Sequence, residues 1–385
     1  MNNFNYCNPT NILFGKGRIA DLTEQVPADA TVLILYGSGS AERTGVLAQV
    51  RQALANHTLI EFGGIEPNPR FATAMKAVEL IGQQGITFLL AVGGGSVIDA
   101  AKFIAAAALY EGDSWEILTS YGSVVTQAMP FGSVLTLPAT GSEMNANSVI
   151  TNPEKGAKLP FSSPHCYPVF SVLDPELTYT LPDRQIANGI ADPFVHIIEQ
   201  YLTYPSAAPV QDGFAESLMR TLIDLGPKAL ATPNDYDIRA NLMWTATLAL
   251  NGLIGAGVPQ DWTSHMIGHE MTALNDTDHA CTLAVVLPSL MNDQRGPKRE
   301  KLLQYAANVW DIKKGSDDEK IDAAIEATRG FFESLGIKTR LSDYGVDASG
   351  IDHIVKGLQD HGMTELGENG DITPADARRI LEAAQ

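Results

Sequence analysis

The chain has 385 residues, enough for two domains, and its 45% hydrophobic and 18% charged residues are typical of a globular protein with a large core. Acidic residues outnumber basic ones by 45 to 26, and the net charge of −19 argues against nucleic acids and anionic membrane surfaces as partners. Three widely spaced cysteines form no disulfide framework and the polar N-terminus has no signal-peptide pattern, so we expect a cytoplasmic protein.

Residues 1–14 predict a β-hairpin. Phe4–Tyr6 and Asn11–Phe14 are strand-like and flank Asn8 and Pro9, which are typical turn residues. The edge of such a hairpin is open to pairing with another chain. We therefore expect a homodimer in which these strands extend a sheet across two subunits.

Strand and helix patterns then alternate as far as residue 180. Five short apolar runs are typical of buried parallel strands: Val32–Tyr36, Leu59–Phe62, Thr87–Val92, Val134–Leu137 and Val169–Leu173. Helical patterns lie between them, at Ala41–Ala55, Ala72–Gln84 and Val97–Leu109. The alternation predicts an α/β domain with a parallel sheet over residues 1–180.

After Leu181 and Pro182 the strand-like runs nearly vanish and helix-start signals replace them. Ser316-to-Glu319 has the pattern of a capping box, and Thr373-Pro374 is typical of an N-cap followed by the first helical residue. These signals predict an all-helical domain over residues 181–385.

A glycine-rich turn, Gly93-Gly94-Gly95-Ser96, joins the strand Thr87–Val92 to a helix predicted from Val97. Glycines let a ligand approach the backbone closely, and the free N–H groups at a helix start attract phosphate. The spacing departs from the six-residue dinucleotide fingerprint, because Ile98 occupies its last position. The turn predicts a phosphate-binding loop, with close packing of strand against helix as the alternative.

A second turn of small residues, Gly37-Ser38-Gly39-Ser40, follows the first of these strands. It holds no acid to bind a ribose 2′-hydroxyl, since the first acid is Glu42. Its small side chains leave room for a 2′-phosphate, with Arg43 as counter-charge. An ordinary surface turn explains the same residues equally well. A third loop, Pro138–Glu143, follows another strand, so three such loops meet at one edge of a parallel sheet, where open α/β sheets bind ligands.

Five metal-binding side chains occur in the helical part: Asp192, His196, His265, His269 and His279. Asp192 and His196 are spaced i, i+4, as are His265 and His269, so each pair shares one face of a helix. One carboxylate with three imidazoles suits Fe(II), Zn(II) or Mn(II). Such a metal acts as a Lewis acid on a carbonyl or alkoxide oxygen.

Two alternatives compete with this interpretation. Asp192 could cap a helix that begins at Pro193, and His269 could form a surface pair with Glu270. The remaining histidines show no partner pattern and are interpreted as structural or exposed: His57, His165, His353 and His361.

Further motifs accompany these residues along nearly the whole chain. They are Phe14–Gly17, Pro67–Pro69, Gly93–Ser96 with Asp99 and Lys102, Thr140–Glu143, Leu173–Pro175, Asn188–Gly189 with Asp192, His196 and Glu199, and the segment with His265, His269 and His279. Together they resemble the iron-containing (metal-dependent) alcohol dehydrogenases, in particular their butanol-dehydrogenase-like, NADPH-dependent aldehyde reductase branch.

The resemblance implies a Rossmann-like α/β N-terminal domain and an all-α C-terminal domain of the dehydroquinate-synthase-like type, with the active site in the cleft between them. It implies four metal ligands, Asp192, His196, His265 and His279, with His269 close to the metal without being a ligand. The cofactor pyrophosphate would rest on Gly93 to Ser96. The other implied cofactor-binding residues are Asn68, Asp99, Thr136, Thr140, Ser142, Asn145 and Lys158.

The implied reaction is hydride transfer between NADP(H) and small alcohols or aldehydes, with one divalent metal, Fe²⁺ or Zn²⁺. NAD-preferring members carry an Asp in the turn that is Gly37–Ser40 here, which favours NADP(H). We assign the proton relay to His269, because a general acid must reach the reacting oxygen directly or through water. A largely apolar pocket discriminates chain length weakly, so broad aldehyde reductase activity is expected.

Pro193 and the acid-rich segment Asn275–Asp278 depart from the family pattern, and we expect them to affect the helix start and substrate access. A lyase or cyclase of dehydroquinate-synthase type is the alternative function. Its phosphorylated substrate would need several cations, whereas the stretch from Asp192 to His279 holds only Arg220, Lys228 and Arg239. A non-catalytic metal-binding protein of this fold is less favoured, because no ligand is missing.

Overall fold

The computed structural model describes residues 1–385. The chain forms eight strands: β1 (Asn11–Phe14), β2 (Thr31–Gly37), β3 (Thr58–Ile65), β4 (Phe88–Gly94), β5 (Phe131–Leu137), β6 (Asn147–Asn152), β7 (Ala157–Ser162) and β8 (Phe170–Leu173). Six of them form one parallel sheet in the order β1-β8-β5-β4-β2-β3, and β6 and β7 pair antiparallel. The five predicted strands are confirmed: β2, β4, β5 and β8 are largely buried, as their apolar runs indicate, whereas the edge strand β3 is mostly exposed or half-buried.

Six helices accompany the sheet: α1 (Leu22–Gln25), α2 (Ser40–Arg43), α3 (Val46–Ala53), α4 (Phe71–Gln84), α5 (Gly95–Ala107) and α6 (Trp115–Thr119). The prediction of one helix over Ala41–Ala55 is wrong, because Gly45 adopts a left-handed conformation (φ 77°) that ends α2 before α3 begins. Buried aliphatic residues such as Val32, Leu90 and Val172 fill the space between the sheet and these helices.

The predicted N-terminal hairpin is also wrong. Residues 1–10 contain no strand, and β1 lies at the edge of the large sheet, parallel to β8. The Asn8 amide donates to the Met144 carbonyl (2.8 Å) and Thr10 Oγ1 donates to the Pro168 carbonyl (2.8 Å). These bonds hold the chain alongside the segment before β8, so it does not fold back on itself.

Nine helices follow: α7 (Asp183–Tyr201), α8 (Pro209–Ala231), α9 (Tyr236–Ala249), α10 (Thr263–Asn275), α11 (His279–Asp293), α12 (Arg299–Asn308), α13 (Asp317–Ser334), α14 (Ala348–Asp360) and α15 (Pro374–Ala383). The capping boxes predicted at Ser316 and Thr373 are both confirmed at the starts of α13 and α15. None of the helices combines the length and apolar character needed to cross a membrane.

The contacts divide the chain into two compact units. The sheet unit contains Cys7–Leu181 and Asn234–Thr247, and the helical unit contains Met1–Tyr6, Pro182–Pro233 and Leu248–Gln385. Most of α9 therefore belongs to the sheet unit, where Thr247 Oγ1 donates to Glu143 Oε1 (2.6 Å). In this division residues 1–6 belong to the helical unit and residues 234–247 to the sheet unit.

Candidate functional site

Four of the candidate ligands converge in the helical unit. The Oδ1 atom of Asp192 lies 3.5 Å from His196 Nε2 and 3.8 Å from the Nε2 atoms of both His265 and His279. Asp192 and His196 are one turn apart on α7, His265 is in the first turn of α10, and His279 is the first residue of α11. Three helices thus bring Asp192, His265 and His279 into one close group, and His196 contacts the Asp192 side of it.

Helix α7 runs unbroken through Pro193, so the alternative that Asp192 caps a helix starting there is wrong. The helix begins at Asp183, after Pro182, and Pro193 lies within the buried half of α7. The proline therefore leaves Asp192 and His196 on one helical face, with i, i+4 spacing. Asp192 is 2% exposed and His196 is 4% exposed.

Glu199, also on α7, fixes the position of His265. Its Oε2 atom contacts His265 Nδ1, while its Oε1 atom accepts the backbone N–H groups of Ser264 (2.7 Å) and His265 (3.3 Å). A carboxylate on one ring nitrogen orients the other nitrogen for metal binding, as is common behind metal-ligating histidines. The sequence placed Glu199 in a family motif without any sign of this role.

The donor set fits a divalent cation. Asp192, His265 and His279 each offer a ligand atom, and these atoms lie within 4.8 Å of one another. The Nε2 atom of His265 is buried and has no hydrogen-bond partner, which is costly unless a ligand is bound there. Burial lowers the pKa of His196 to about 4, which favours the neutral ring that binds metals. Burial also lowers the pKa of His265, but Glu199 and Asp192 raise it to about 9, so a metal would have to displace a proton from that ring.

His269 lies beside this cluster. It is 3% exposed, one turn after His265, and its ring centroid is 5.2 Å from that of His279. The alternative of a surface pair with Glu270 is wrong, because Glu270 is buried and its Oε1 atom contacts His361 Nδ1 at 2.7 Å. His361 therefore has a structural partner that its sequence context did not indicate.

In the sheet unit, two glycine turns flank the point where the strand order reverses. The chain proceeds from β2 to β3 on one side and from β4 to β5 on the other. The turns Gly37–Ser40 and Gly93–Ser96 follow β2 and β4 at their carboxyl ends. Nucleotides bind at this kind of reversal in open α/β sheets.

The three glycines where β4 ends and α5 begins are required by packing. A Cβ atom would lie 2.5 Å from Val97 Cγ2 at Gly93, 3.0 Å from Leu137 Cβ at Gly94, and 2.3 Å from Thr140 Oγ1 at Gly95. Close packing, the alternative kept open above, therefore operates here. It does not compete with phosphate binding, since α5 begins at Gly95 and presents its first N–H groups at this edge.

The turn after β2 is more open. Ser38 and Ser40 are exposed, Gly39 has a left-handed φ of 104°, and a Cβ atom on Gly39 would lie 3.4 Å from Arg43 Nη1. The nearby acid, Glu42, is paired with Arg51 at 2.7 Å. Arg43 is therefore the cation nearest to the turn's centre.

Three of the predicted cofactor residues are tied to a buried lysine. Lys102 Nζ donates to Ser142 Oγ (2.7 Å) and to Asn145 Oδ1 (2.9 Å), and Ser142 Oγ donates to Asp99 Oδ1 (2.5 Å). Burial lowers the pKa of Lys102 to about 8. These contacts hold the loop after β5 against α5, so Asp99, Ser142 and Asn145 have a structural role whatever else they bind.

The other predicted cofactor residues lie near strand ends. Lys158 on β7 donates to Asn68 Oδ1 at 2.9 Å, and Asn68 has a left-handed φ of 55°. Thr136 is the second-last residue of β5, and Thr140 lies in the loop after it. The β6–β7 hairpin that carries Lys158 is not evident from the sequence, because Pro160 interrupts the strand pattern of β7.

Two family models match the chain. The model for iron-containing alcohol dehydrogenases matches residues 9–175, and that for the C-terminal part of the Fe-containing alcohol dehydrogenase family matches residues 186–383. The chain belongs to the iron-containing alcohol dehydrogenase family and is an oxidoreductase. The resemblance inferred from its motifs is confirmed, as is the architecture of an α/β domain with a helical domain, and the lyase alternative is not favoured.

Relatives extend over the full length of the chain. It is 62% identical over 387 residues to the NADPH-dependent aldehyde reductase YqhD of Escherichia coli, covering 100% of both chains. It is 41% identical over 389 residues to a probable NADH-dependent butanol dehydrogenase of Bacillus subtilis, again covering 100% of both. The present structure superimposes on the crystal structure of E. coli YqhD with a TM-score of 0.99 and 61% sequence identity. The alignment covers 100% of this chain and 99% of the crystallised chain.

Proposed function

We propose that this enzyme transfers hydride between NADP(H) and small alcohols or aldehydes, and that it acts mainly as a broad-range, NADPH-dependent aldehyde reductase. The observation that carries the proposal is the convergence of Asp192, His196, His265 and His279 in a chain 62% identical to an NADPH-dependent aldehyde reductase over its full length.

In this proposal Asp192, His196, His265 and His279 hold one divalent metal, Fe²⁺ or Zn²⁺. A bound metal supplies a Lewis acid for the carbonyl oxygen, and a bound nicotinamide supplies the hydride. Glu199 keeps the His265 ring in one orientation through its Nδ1 atom. His269, next to His279, holds the proton that the reacting oxygen takes up.

The cofactor contacts are assigned to the sheet unit. Gly93, Gly94, Gly95 and Ser96 take the pyrophosphate, and Gly37, Ser38, Gly39 and Ser40 take the ribose 2′-phosphate. Asn68, Asp99, Thr136, Thr140, Ser142, Asn145 and Lys158 complete the set. The exposed hydroxyls of Ser38 and Ser40 support the phosphate assignment, because both can donate hydrogen bonds to phosphate oxygens.

The direct test mixes the purified protein with NADPH and butanal and measures the loss of nicotinamide absorbance over time. We expect oxidation of NADPH that requires both the aldehyde and the metal, and slower oxidation of NADH. A metal-depleted sample is the control, and metal analysis after anaerobic purification distinguishes Fe²⁺ from Zn²⁺. Metal-loaded protein that oxidises no NADPH with any small aldehyde would contradict the proposal.

We also propose a cytoplasmic homodimer. The three cysteines Cys7, Cys166 and Cys281 are all unpaired, which suits a reducing compartment. The expected dimer contact moves from the absent hairpin to β1, an edge strand of the large sheet. The Asn11 N–H donates to the Val169 carbonyl, just before β8, and the Gly15 N–H donates to the Leu173 carbonyl at the end of β8. Because N–H groups alternate in direction along a strand, those of Ile12 and Phe14 are directed away from β8.

Ile12→Pro is expected to weaken the dimer without opening the sheet, because it removes an outward-facing N–H at an edge where proline is tolerated. Ile12→Val keeps that N–H and serves as the control. Light scattering of the wild type should give twice the chain mass of 41.3 kDa, shifting towards 41.3 kDa for the proline variant. A proline variant that is as dimeric as the wild type at every dilution would rule out the β1 contact.

A further inference from the structure

A buried ion cluster lies next to the start of α10, the helix that carries His265 in its first turn. It consists of Asp261, Lys298 and Glu368, whose side chains are 2%, 7% and 5% exposed. Lys298 Nζ contacts Asp261 Oδ2 and lies 3.0 Å from Glu368 Oε2. We infer that Lys298 is a positioning residue that holds the start of α10, and with it His265, in place for metal binding.

The first backbone N–H groups of α10 donate hydrogen bonds to side chains from outside the helix. Asp261 Oδ1 accepts the N–H of Thr263 (2.9 Å), and Glu199 Oε1 accepts those of Ser264 and His265. A helix cannot bond its own first N–H groups, so these two carboxylates determine where α10 begins. The position of the His265 backbone therefore depends on Asp261 and Glu199 together.

The backbones of Asp261 and Glu199 are also joined to each other. The backbone N–H of Asp261 donates to the Glu199 carbonyl at 2.8 Å, so a shift of Asp261 acts on Glu199 as well as on Thr263. Glu199 in turn holds the His265 ring through Nδ1. A short path of contacts thus runs from Lys298 through Asp261 and Glu199 to the imidazole.

Lys298 supplies the positive charge that this path needs. Glu199, Asp261 and Lys298 border one small cavity of about 20 Å³, and Lys298 is the one cation on its otherwise largely apolar wall. Burial by itself lowers the pKa of Lys298, but Asp261 and Glu368 raise it above its usual value, so the side chain stays charged. A buried carboxylate that loses its cation moves towards water or takes up a proton, and either change releases the start of α10.

Lys301, three residues further along the chain on α12, provides a matched control. Its Nζ atom is buried, lies 2.7 Å from Asp212 Oδ1 and sits over the Tyr201 ring, but none of its contacts reaches α10. Lys298→Met and Lys301→Met both remove a buried lysine at the start of α12 from an ion pair, although Asp212, the partner of Lys301, is half-buried. Only the first ion pair leads to His265.

The inference rests on the proposed function, because it assigns His265 as a metal ligand. The experiment loads each full-length protein with Co²⁺, records the visible absorption of the bound metal, and follows its loss to excess EDTA. Lys298→Met is expected to lose Co²⁺ about tenfold faster than the wild type and to show altered absorption, whereas Lys301→Met keeps the wild-type spectrum and rate.

The triple variant Asp261→Asn, Lys298→Met and Glu368→Gln covers the case in which Lys298→Met does not fold. It removes all three charges of the cluster, yet the new amide at residue 261 keeps an oxygen that can accept the Thr263 N–H, so we expect a folded protein that still loses Co²⁺ several-fold faster. Equal retention in this folded variant and the wild type would overturn the inference, as would equal rates for the two single variants. A wild type that binds no Co²⁺ would instead overturn the proposed metal site.

Discussion

Replacing His265 or His279 by alanine is expected to strip the metal and to lower kcat by about a thousandfold or more. Each ring supplies one of the three imidazole nitrogens around Asp192 Oδ1, and a Lewis acid held by these four groups contributes several kcal/mol to transition-state stabilisation. Binding of NADPH should change little, because the proposed cofactor loops belong to the sheet unit. Metal content, steady-state kinetics and nucleotide fluorescence titration measure the three effects separately.

His353→Ala is the control for these variants, since His353 is exposed and outside the cluster. It should retain metal and full turnover. Undiminished turnover by a His279→Ala protein from which all metal has been removed would show that the ligand assignment is wrong. Loss of nucleotide binding together with the metal would show that the two sites do not act independently.

Gly39→Asp is expected to move cofactor preference from NADPH towards NADH. A carboxylate in the Gly37–Ser40 turn accepts from a free 2′-hydroxyl and repels a 2′-phosphate by about 1.4 kcal/mol, or tenfold, at close range in a partly buried site. It also competes for Arg43, whose Nη1 atom lies 3.4 Å from the Cβ position of residue 39. The kcat/KM ratio of NADPH to NADH should therefore fall by about tenfold or more.

Gly39→Asn separates this charge effect from strain. The native φ of 104° is unfavourable for any side chain, but Asn and Asp have the same shape and tolerate positive φ best. Comparing the two variants thus isolates the carboxylate. If both shift the ratio equally, or if the wild type uses NADH as efficiently as NADPH, the turn does not select the cofactor.

The parallel sheet could be predicted because its central strands carry continuous apolar runs, for example Val32 to Leu35 in β2. The edge strand β1 could not, since its partner β8 is more than 150 residues away, as the pairing of Asn11 with Phe170 shows. Local turn signals at Asn8 and Pro9 favoured a hairpin that the long-range pairing overrides. β7 does carry alternating buried apolar residues, Ala157, Leu159 and Phe161, but its Pro160 argues against a strand.

Part of the proposed metal site can be predicted from the sequence for an equally physical reason. The i, i+4 spacing of Asp192 and His196 puts two candidate ligands on one helical face before any tertiary contact is known. The supporting residues carry no such signal. Lys298 and Asp261 are 37 positions apart and meet only because the segments before α10 and α12 pack in one unit.

The steric demand at Gly93, Gly94 and Gly95 changes how alanine scanning of this loop has to be interpreted. Each added methyl meets Val97, Leu137 or Thr140 closely enough to force a shift, which typically costs about 1–3 kcal/mol in the free energy of unfolding. An inactive alanine variant here would therefore lose soluble yield and melting temperature whether or not it had lost any contact with a nucleotide. Thermal melts without ligand have to precede any binding measurement on these three positions, whereas the exposed Ser38 and Ser40 are free of this complication.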